Sequence, residues 1–63
     1  MKKTTLREVK PGEKFVFANG DLKIQFRRGW LRGIEPLDIY VNIDTGVATI
    51  IREAQENIPV LKA

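Results

Sequence analysis

The chain has 63 residues and a net charge of +3, from 11 Lys and Arg against 8 Asp and Glu, with no His and no Cys. This length allows one domain only, here residues 1–63, since a second hydrophobic core needs roughly fifty residues of its own. Ser is absent as well, so the usual nucleophiles, the neutral-pH base and most metal ligands are excluded, and we expect a non-enzymatic protein with no metal and no cofactor.

The N-terminal segment predicts one short helical turn. Thr5 followed three residues later by Glu8 fits a capping box, so residues 5–9 are expected to form a helical or 3₁₀ turn that ends before Pro11. Polar residues stand where a signal peptide would need an apolar segment, and no apolar run is long enough to cross a bilayer. We therefore expect a cytoplasmic protein that does not bind membranes.

Two stretches in the first half alternate apolar and polar residues, as β-strands do. These are residues 13–18 and 21–27, and the Asn-Gly dipeptide between them is the strongest short hairpin signal. A two-residue loop places Phe15 opposite Ile24 on the core face of the hairpin.

A second hairpin is predicted from residues 37–43 and 47–52, joined by a three-residue Asp-Thr-Gly loop. In that register Ile39 points to the core, and Tyr40 lies opposite Ile50 on the other face. Because Tyr40 and Ile50 make this second face partly apolar, we expect something to cover it.

The remaining segments carry weaker signals. Residues 28–36 contain two Gly and one Pro, which indicates a wide loop or a broken strand. Residues 53–57 favour a turn or a short helix, and Pro59 restricts the tail to an edge strand or a docked segment. Four or five short strands predict an all-β fold: a small antiparallel barrel or twisted sheet of SH3-like or OB-like size.

The carboxylates are the only candidate acids and bases, and three of them, Glu35, Asp38 and Asp44, lie in the second half of the chain. Asp38 is expected to pair with Arg52 across the second hairpin, and Asp44 stands at a turn position that favours Asp for backbone reasons. To act with Glu35 as a catalytic pair, they would need a cleft that holds a substrate such as a sugar. A chain of 63 residues is too short to enclose such a cleft. Catalysis is therefore not expected.

Positive charge is concentrated around the single Trp. Lys23, Arg27, Arg28 and Arg32 surround Trp30 with no acid between them. Guanidinium groups bind phosphate in a bidentate manner, and an exposed indole stacks on an unpaired base. The segment therefore predicts a nucleic-acid-binding module, suited to a single strand.

Other interpretations of the same residues remain open. A domain this small favours a buried Trp, so Trp30 and Leu31 would plug one end of the barrel while the arginines keep the loop soluble. Alternatively, Trp30, Tyr40 and Ile50 form an interface for a protein partner, such as an inhibited host protein. A structural homo-oligomer is the third possibility, since a marginal core gains stability from association.

Two motifs resemble those of small β proteins encoded by phages and prophages. They are LREVKPGEKFVF at residues 6–17 and YVNIDTG at residues 40–46. The matched residues belong to turns and core positions. The resemblance implies a small β-barrel with an accessory role in the host cytoplasm, and it transfers no functional site to this chain.

Overall fold

The protein folds into a single antiparallel sheet. The structure is a computed structural model that describes residues 2–19 and 23–62. It contains six strands and two 3₁₀ turns, the turns at Leu6–Glu8 and Glu53–Gln55. The strands are β1 (Lys2–Thr5), β2 (Lys14–Phe17), β3 (Gln25–Arg32), β4 (Glu35–Asn42), β5 (Ala48–Ile50) and β6 (Pro59–Lys62).

The spatial order of the strands is β1-β6-β2-β3-β4-β5, and every neighbouring pair is antiparallel. The all-β antiparallel prediction is confirmed, but the predicted count of four or five strands is wrong. Within the described residues β1 and β5 each have one neighbour only, so the sheet is open and does not close into a barrel.

The C-terminal tail is an interior strand, which corrects the predicted edge strand or docked tail. β6 lies between β1 and β2, with Thr4 opposite Val60 and Phe17 opposite Val60 on the other side. Pro59 is tolerated because it is the first residue of β6, where one missing N–H costs little.

The N-terminal segment also differs from the prediction. It begins as a strand, and only Leu6–Glu8 form a single 3₁₀ turn. The Thr5 side chain makes no capping hydrogen bond, so the predicted capping box does not form. The turn is held instead by main-chain bonds to the C-terminal part, in which the Leu6 N–H donates to the Ile58 carbonyl at 3.0 Å.

The first hairpin is shifted by one residue from its predicted register. Phe15 lies opposite Gln25, and Lys14 lies opposite Phe26, whereas Ile24 was predicted opposite Phe15. The predicted Asn-Gly turn extends into residues 20–22, which lie outside the described residues. A one-residue shift turns every side chain of the strand to the other face, and here it points Arg27 toward the core.

The second hairpin is shifted by one residue for a reason that is visible in its loop. Asn42 accepts hydrogen bonds through Oδ1 from the main-chain N–H groups of Asp44 and Thr45, at 2.9 and 3.1 Å. Its own N–H donates to the Val47 carbonyl at 3.0 Å, so the loop has four residues, 43–46, where three were predicted. Gly46 closes it with a φ of +74°.

The sheet has two distinct faces. The core face carries Phe15, Arg27 and Tyr40, and the opposite side, here called the outer face, carries Val16, Arg28 and Ile39, because cross-strand partners share a face. The buried cluster forms on the core face from Leu6, Val9, Phe15, Ile51 and Val60.

Three aromatic rings extend this cluster along the core face. Phe15, Phe17 and Tyr40 meet edge to face, with ring centroids 5.3 to 6.2 Å apart. Such pairs contribute about 0.5–1.5 kcal/mol beyond the area they bury. Tyr40 was predicted on the other face. It lies on the core face because it pairs with Arg27, which the shift of the first hairpin turned toward the core. Its partner on β5 is Thr49 and not Ile50.

Candidate functional site

Residues 29–38 form a two-stranded arm in which every residue is exposed except the partly buried Leu37. β3 and β4 pair along their full length, from Gln25 with Asn42 to Arg32 with Glu35, whereas the register of β5 on β4 reaches only Ile39. The predicted loop or broken strand at residues 28–36 is therefore wrong, because most of it is regular hairpin.

The tip of the arm is a two-residue turn, Gly33 followed by Ile34. Gly33 has a φ of +65°, and no residue other than glycine has a positive φ among those described. A positive φ at the first central position, without one at the second, defines the type II′ turn. This turn matches the twist of the flanking strands. Glycine is needed here because a side chain would be strained in this conformation.

Three of the predicted nucleic-acid-binding residues lie together on the outer face of β3. Arg28, Trp30 and Arg32 alternate along the strand, with cross-strand partners Ile39, Leu37 and Glu35. Successive members of the set are about 6.6 Å apart along the strand. All three are exposed, and Trp30 retains 50% of its accessible surface.

Sequence analysis missed a fourth residue of this surface, Lys14. It lies opposite Phe26, which places it on the outer face and diagonal to Arg28. Diagonal neighbours on one face are about 7–8 Å apart. We call Lys14, Arg28, Trp30 and Arg32 together the basic face. Only the strand register reveals Lys14, because it is 14 residues from Arg28 in the chain.

Arg27 is not part of the basic face, although sequence analysis included it. It is buried on the core face with 8% of its surface exposed. Its Nη1 donates to the carbonyl oxygens of Leu6, Arg7 and Val9 at 3.0, 3.4 and 3.2 Å. Its Nη2 lies 3.1 Å from Asp38 Oδ2 and 3.7 Å from Glu56 Oε1. The guanidinium therefore binds the protein itself, which leaves it unable to hold phosphate.

Lys23 is exposed but stands apart from the rest. It precedes β3, so Arg28 is five positions further along the chain and Arg32, at the far end of the strand, is nine. An extended chain covers about 16 Å over five residues. The structure therefore does not bring Lys23 together with Trp30 and Arg32.

Trp30 and Leu31 do not plug the end of a barrel. Both are exposed on the arm, Leu31 to 65%, and Ile34 at the tip is fully exposed. The alternation of the strand also places them on opposite faces of the arm. The core is built without the only Trp, since Leu6, Val9, Phe15, Ile51 and Val60 supply it.

A cleft of about 190 Å³ lies beside Trp30 on the outer face. Arg28 and Trp30 from β3 form one wall, and Ile39 and Val41 from β4 lie between the walls. The opposite wall is low because it consists of Gly46 and Ala48. Of the residues in 2–19 and 23–62, Arg28 alone brings a charge to this cleft.

The acids near the basic face are few. Glu35 lies opposite Arg32 at the end of the arm, on the same face. Asp38 belongs to the core face and pairs with Arg27, in place of the Arg52 partner predicted from sequence. The basic face therefore carries three cations with one facing carboxylate.

One carboxyl group elsewhere has a displaced pKa. The Glu13 carboxylate accepts a hydrogen bond from the main-chain N–H of Lys10 at 2.7 Å, and Lys62 Nζ lies 3.3 Å away. The bond from Lys10 and, to a smaller extent, the Lys62 ammonium hold the pKa of Glu13 below its ordinary value of 4.5. This group stabilises the fold beside the first 3₁₀ turn, where Lys62 also contacts the Glu8 carbonyl at 3.4 Å.

The residues of the predicted protein interface are divided between the two faces. Trp30 and Ile50 belong to the outer face, since Ile50 lies opposite Ile39, whereas Tyr40 contacts Phe15 and Phe17 on the core face. One partner surface therefore cannot cover Trp30 and Tyr40 together.

Metal-binding clusters and membrane-spanning helices are absent from the described part of the chain. Within residues 2–19 and 23–62 no cluster of His, Cys, Asp or Glu is suited to hold a metal ion. None of the helical segments in the same ranges is long and apolar enough to span a bilayer.

Comparison with known proteins adds no relatives. No family model, curated protein or solved structure matches the chain. The resemblance to phage-encoded β proteins therefore remains a prediction from the motifs at residues 6–17 and 40–46.

Proposed function

We propose that this protein is a non-enzymatic module that binds nucleic acid through its basic face. The observation that supports the proposal most is the alternation of Arg28, Trp30 and Arg32 on one exposed face of the arm. Two guanidinium groups flank an indole that is half exposed, so phosphates and a base can be contacted at the same time.

The separation of roles between neighbouring arginines strengthens this proposal. Arg27 is bound to the protein's own carbonyl and carboxylate oxygens, whereas Arg28 is exposed. Arg28 and Arg32 make no contribution to the core, so their charges are available to a ligand. Lys14 adds a third positive charge to the same face.

The proposal is tested by measuring affinity for a fluorescently labelled oligonucleotide as a function of salt. Three cations that contact phosphates give a salt slope of about −2.1 for a single strand, or a loss of about twentyfold in affinity between 50 and 200 mM salt. Arg28→Gln should lower the magnitude of the slope by about 0.7.

Lys10→Gln is the matched control for this experiment. Lys10 is exposed and follows Val9, whose side chain belongs to the core cluster on the other side of the sheet. The control should bind like the wild type. Equal loss of affinity in Arg28→Gln and Lys10→Gln would show that the attraction is general and that the basic face is not the site.

A protein partner is the second candidate, favoured by the apolar end of the arm. Leu31 and Ile34 are exposed to 65% and 100%, next to the half-exposed Trp30. Exposed aliphatic and aromatic side chains at a projecting tip suit insertion into a groove of a host protein or of a second copy. Such binding would depend weakly on salt and would be lost in Ile34→Ser.

A further inference from the structure

The cleft beside Trp30 has a shape that suits one flat apolar ring. Its walls stand on β3 and β5, which are two strand spacings, or about 10 Å, apart. Ile39 and Val41 provide the apolar floor, and Gly46 and Ala48 leave the far side open. A planar group can therefore enter from the β5 side and lie against the indole.

The charges around the cleft define what such a ring must carry. Arg28 lines the cleft, no acidic residue among those that the structure describes does so, and Arg32 continues the positive charge along the same face. The occupant that matches is planar, apolar on its faces and linked to anionic groups on both sides. Arg28 and Arg32 are four residues apart on one strand, about 13 Å, with the indole between them.

We infer that this cleft is a subsite for a single unpaired nucleobase, stacked on Trp30 and facing Ala48, with the flanking phosphates on Arg28 and Arg32. The inference rests on the proposed function and specifies its ligand. A base inside a duplex is paired and stacked, so it reaches such a cleft only by leaving the helix. The protein therefore binds single strands in preference to duplexes of the same sequence.

Ala48 is the residue that keeps the cleft open. It is exposed at the start of the edge strand β5. A larger side chain there occupies space inside the cleft and does not enter the core. Ala48→Leu fills the cleft and leaves every cation of the basic face in place. Ala54→Leu is the matched control, because Ala54 is exposed in the second 3₁₀ turn and does not line the cleft.

The experiment compares binding of two labelled oligomers by fluorescence anisotropy. One is a short oligothymidine, and the other has the same backbone with abasic sites in place of the bases. Stacking of one base on an aromatic residue contributes about 5- to 150-fold in affinity. The wild type should prefer oligothymidine by a factor in this range, and Trp30 emission should be quenched on binding.

Ala48→Leu should bind oligothymidine as weakly as the wild type binds the abasic oligomer, and Ala54→Leu should bind like the wild type. Circular dichroism confirms that each variant is folded. Equal affinity of Ala48→Leu and the wild type for oligothymidine overturns the inference but leaves the proposed function standing.

Other outcomes also have one meaning each. Equal affinity of the wild type for both oligomers, with steep salt dependence, shows phosphate binding without a base subsite and overturns the inference alone. Failure of the wild type to bind either oligomer overturns the proposed function together with the inference. A dimer in sedimentation that Ala48→Leu, but not Ala54→Leu, converts to a monomer would assign the cleft to a second copy of the chain and overturn the inference.

Discussion

Replacing Arg27 by Met removes the contacts that join the first 3₁₀ turn to the sheet. The carbonyl oxygens of Leu6 and Val9 lose buried hydrogen bonds of 3.0 and 3.2 Å, and Asp38 loses its partner at 3.1 Å. The Met side chain has similar length but no donor, so the Val9 carbonyl loses its buried partner, whereas the Leu6 carbonyl keeps the hydrogen bond from the Val9 N–H at 3.1 Å.

The expected loss can be worked out from these contacts. The Val9 carbonyl left without a donor costs about 1–3 kcal/mol, and the hydrogen bond that the charged guanidinium loses to the Leu6 carbonyl adds to this. Asp38 is half exposed and regains water, so the lost ion pair contributes little. We expect Arg27→Met to lower the free energy of unfolding by about 2–4 kcal/mol. A domain of 63 residues has about 3–9 kcal/mol in total, so this loss is a large part of its stability.

Urea unfolding followed by far-ultraviolet circular dichroism measures this loss, since the signal reports the sheet and not the exposed Trp30. Arg28→Met is the control, because the same change one residue along affects an exposed side chain and should alter the free energy of unfolding by less than about 0.5 kcal/mol. If the two variants have free energies of unfolding within about 1 kcal/mol of each other, Arg27 does not have the structural role described here.

Three smaller perturbations test other parts of the structure. The lowered pKa of Glu13 means that its stabilising effect is present above pH 4.5 and is lost as the pH falls through the lowered value, so Glu13→Gln should flatten the acid side of the stability profile measured by thermal unfolding. Gly46→Ala should destabilise by about 1–2 kcal/mol in urea through backbone strain alone, because no atom lies within 4 Å of the new methyl group, whereas Gly29→Ala, with no positive φ, should show no such loss. Ile34→Ser should leave the unfolding midpoint unchanged and lower any self-association seen by sedimentation; an unfolded variant would show that the tip supports the fold.

The sequence predicted the strands well where local patterns decide the structure. The alternation at residues 13–18 and 37–43 and the Asp-Thr-Gly loop indicated two hairpins, and both exist. The predicted register is wrong in each. In the second hairpin the reason is visible, since the Asn42 side chain accepts two hydrogen bonds from its own loop and the turn gains one residue. A shift of one residue is invisible in composition but moves Tyr40 to the other face.

The arm was missed because its sequence does not alternate. Residues 26–32 mix apolar, basic and glycine residues on a strand whose two faces are both largely exposed, so no apolar stripe marks it. A signal was nevertheless present, since Gly33 followed by Ile34 matches the Gly-X turn of a two-residue hairpin. A hairpin with this Gly-X turn extends both flanking strands toward the tip.

The candidate site was predicted in part. Arg28, Trp30 and Arg32 were identified from their residue types, but the sequence could not separate them from Arg27, which is adjacent and has the same chemistry. The distinction depends on contacts between Arg27 and carbonyl oxygens 18 to 21 residues away. The placement of β6 between β1 and β2 also depends on long-range pairing, which local patterns do not encode.

The most direct test of the proposed nucleic-acid interface is an amide-resolved NMR titration of the wild type with a short single-stranded oligonucleotide at low and moderate salt. The amides of Arg28, Trp30 and Arg32 should shift together with those of Ile39 and Ala48, and the shifts should shrink as salt rises. The amides of Leu6–Glu8 on the core face should not move. No shift at the arm, or shifts confined to the core-face turns, would contradict the proposed function.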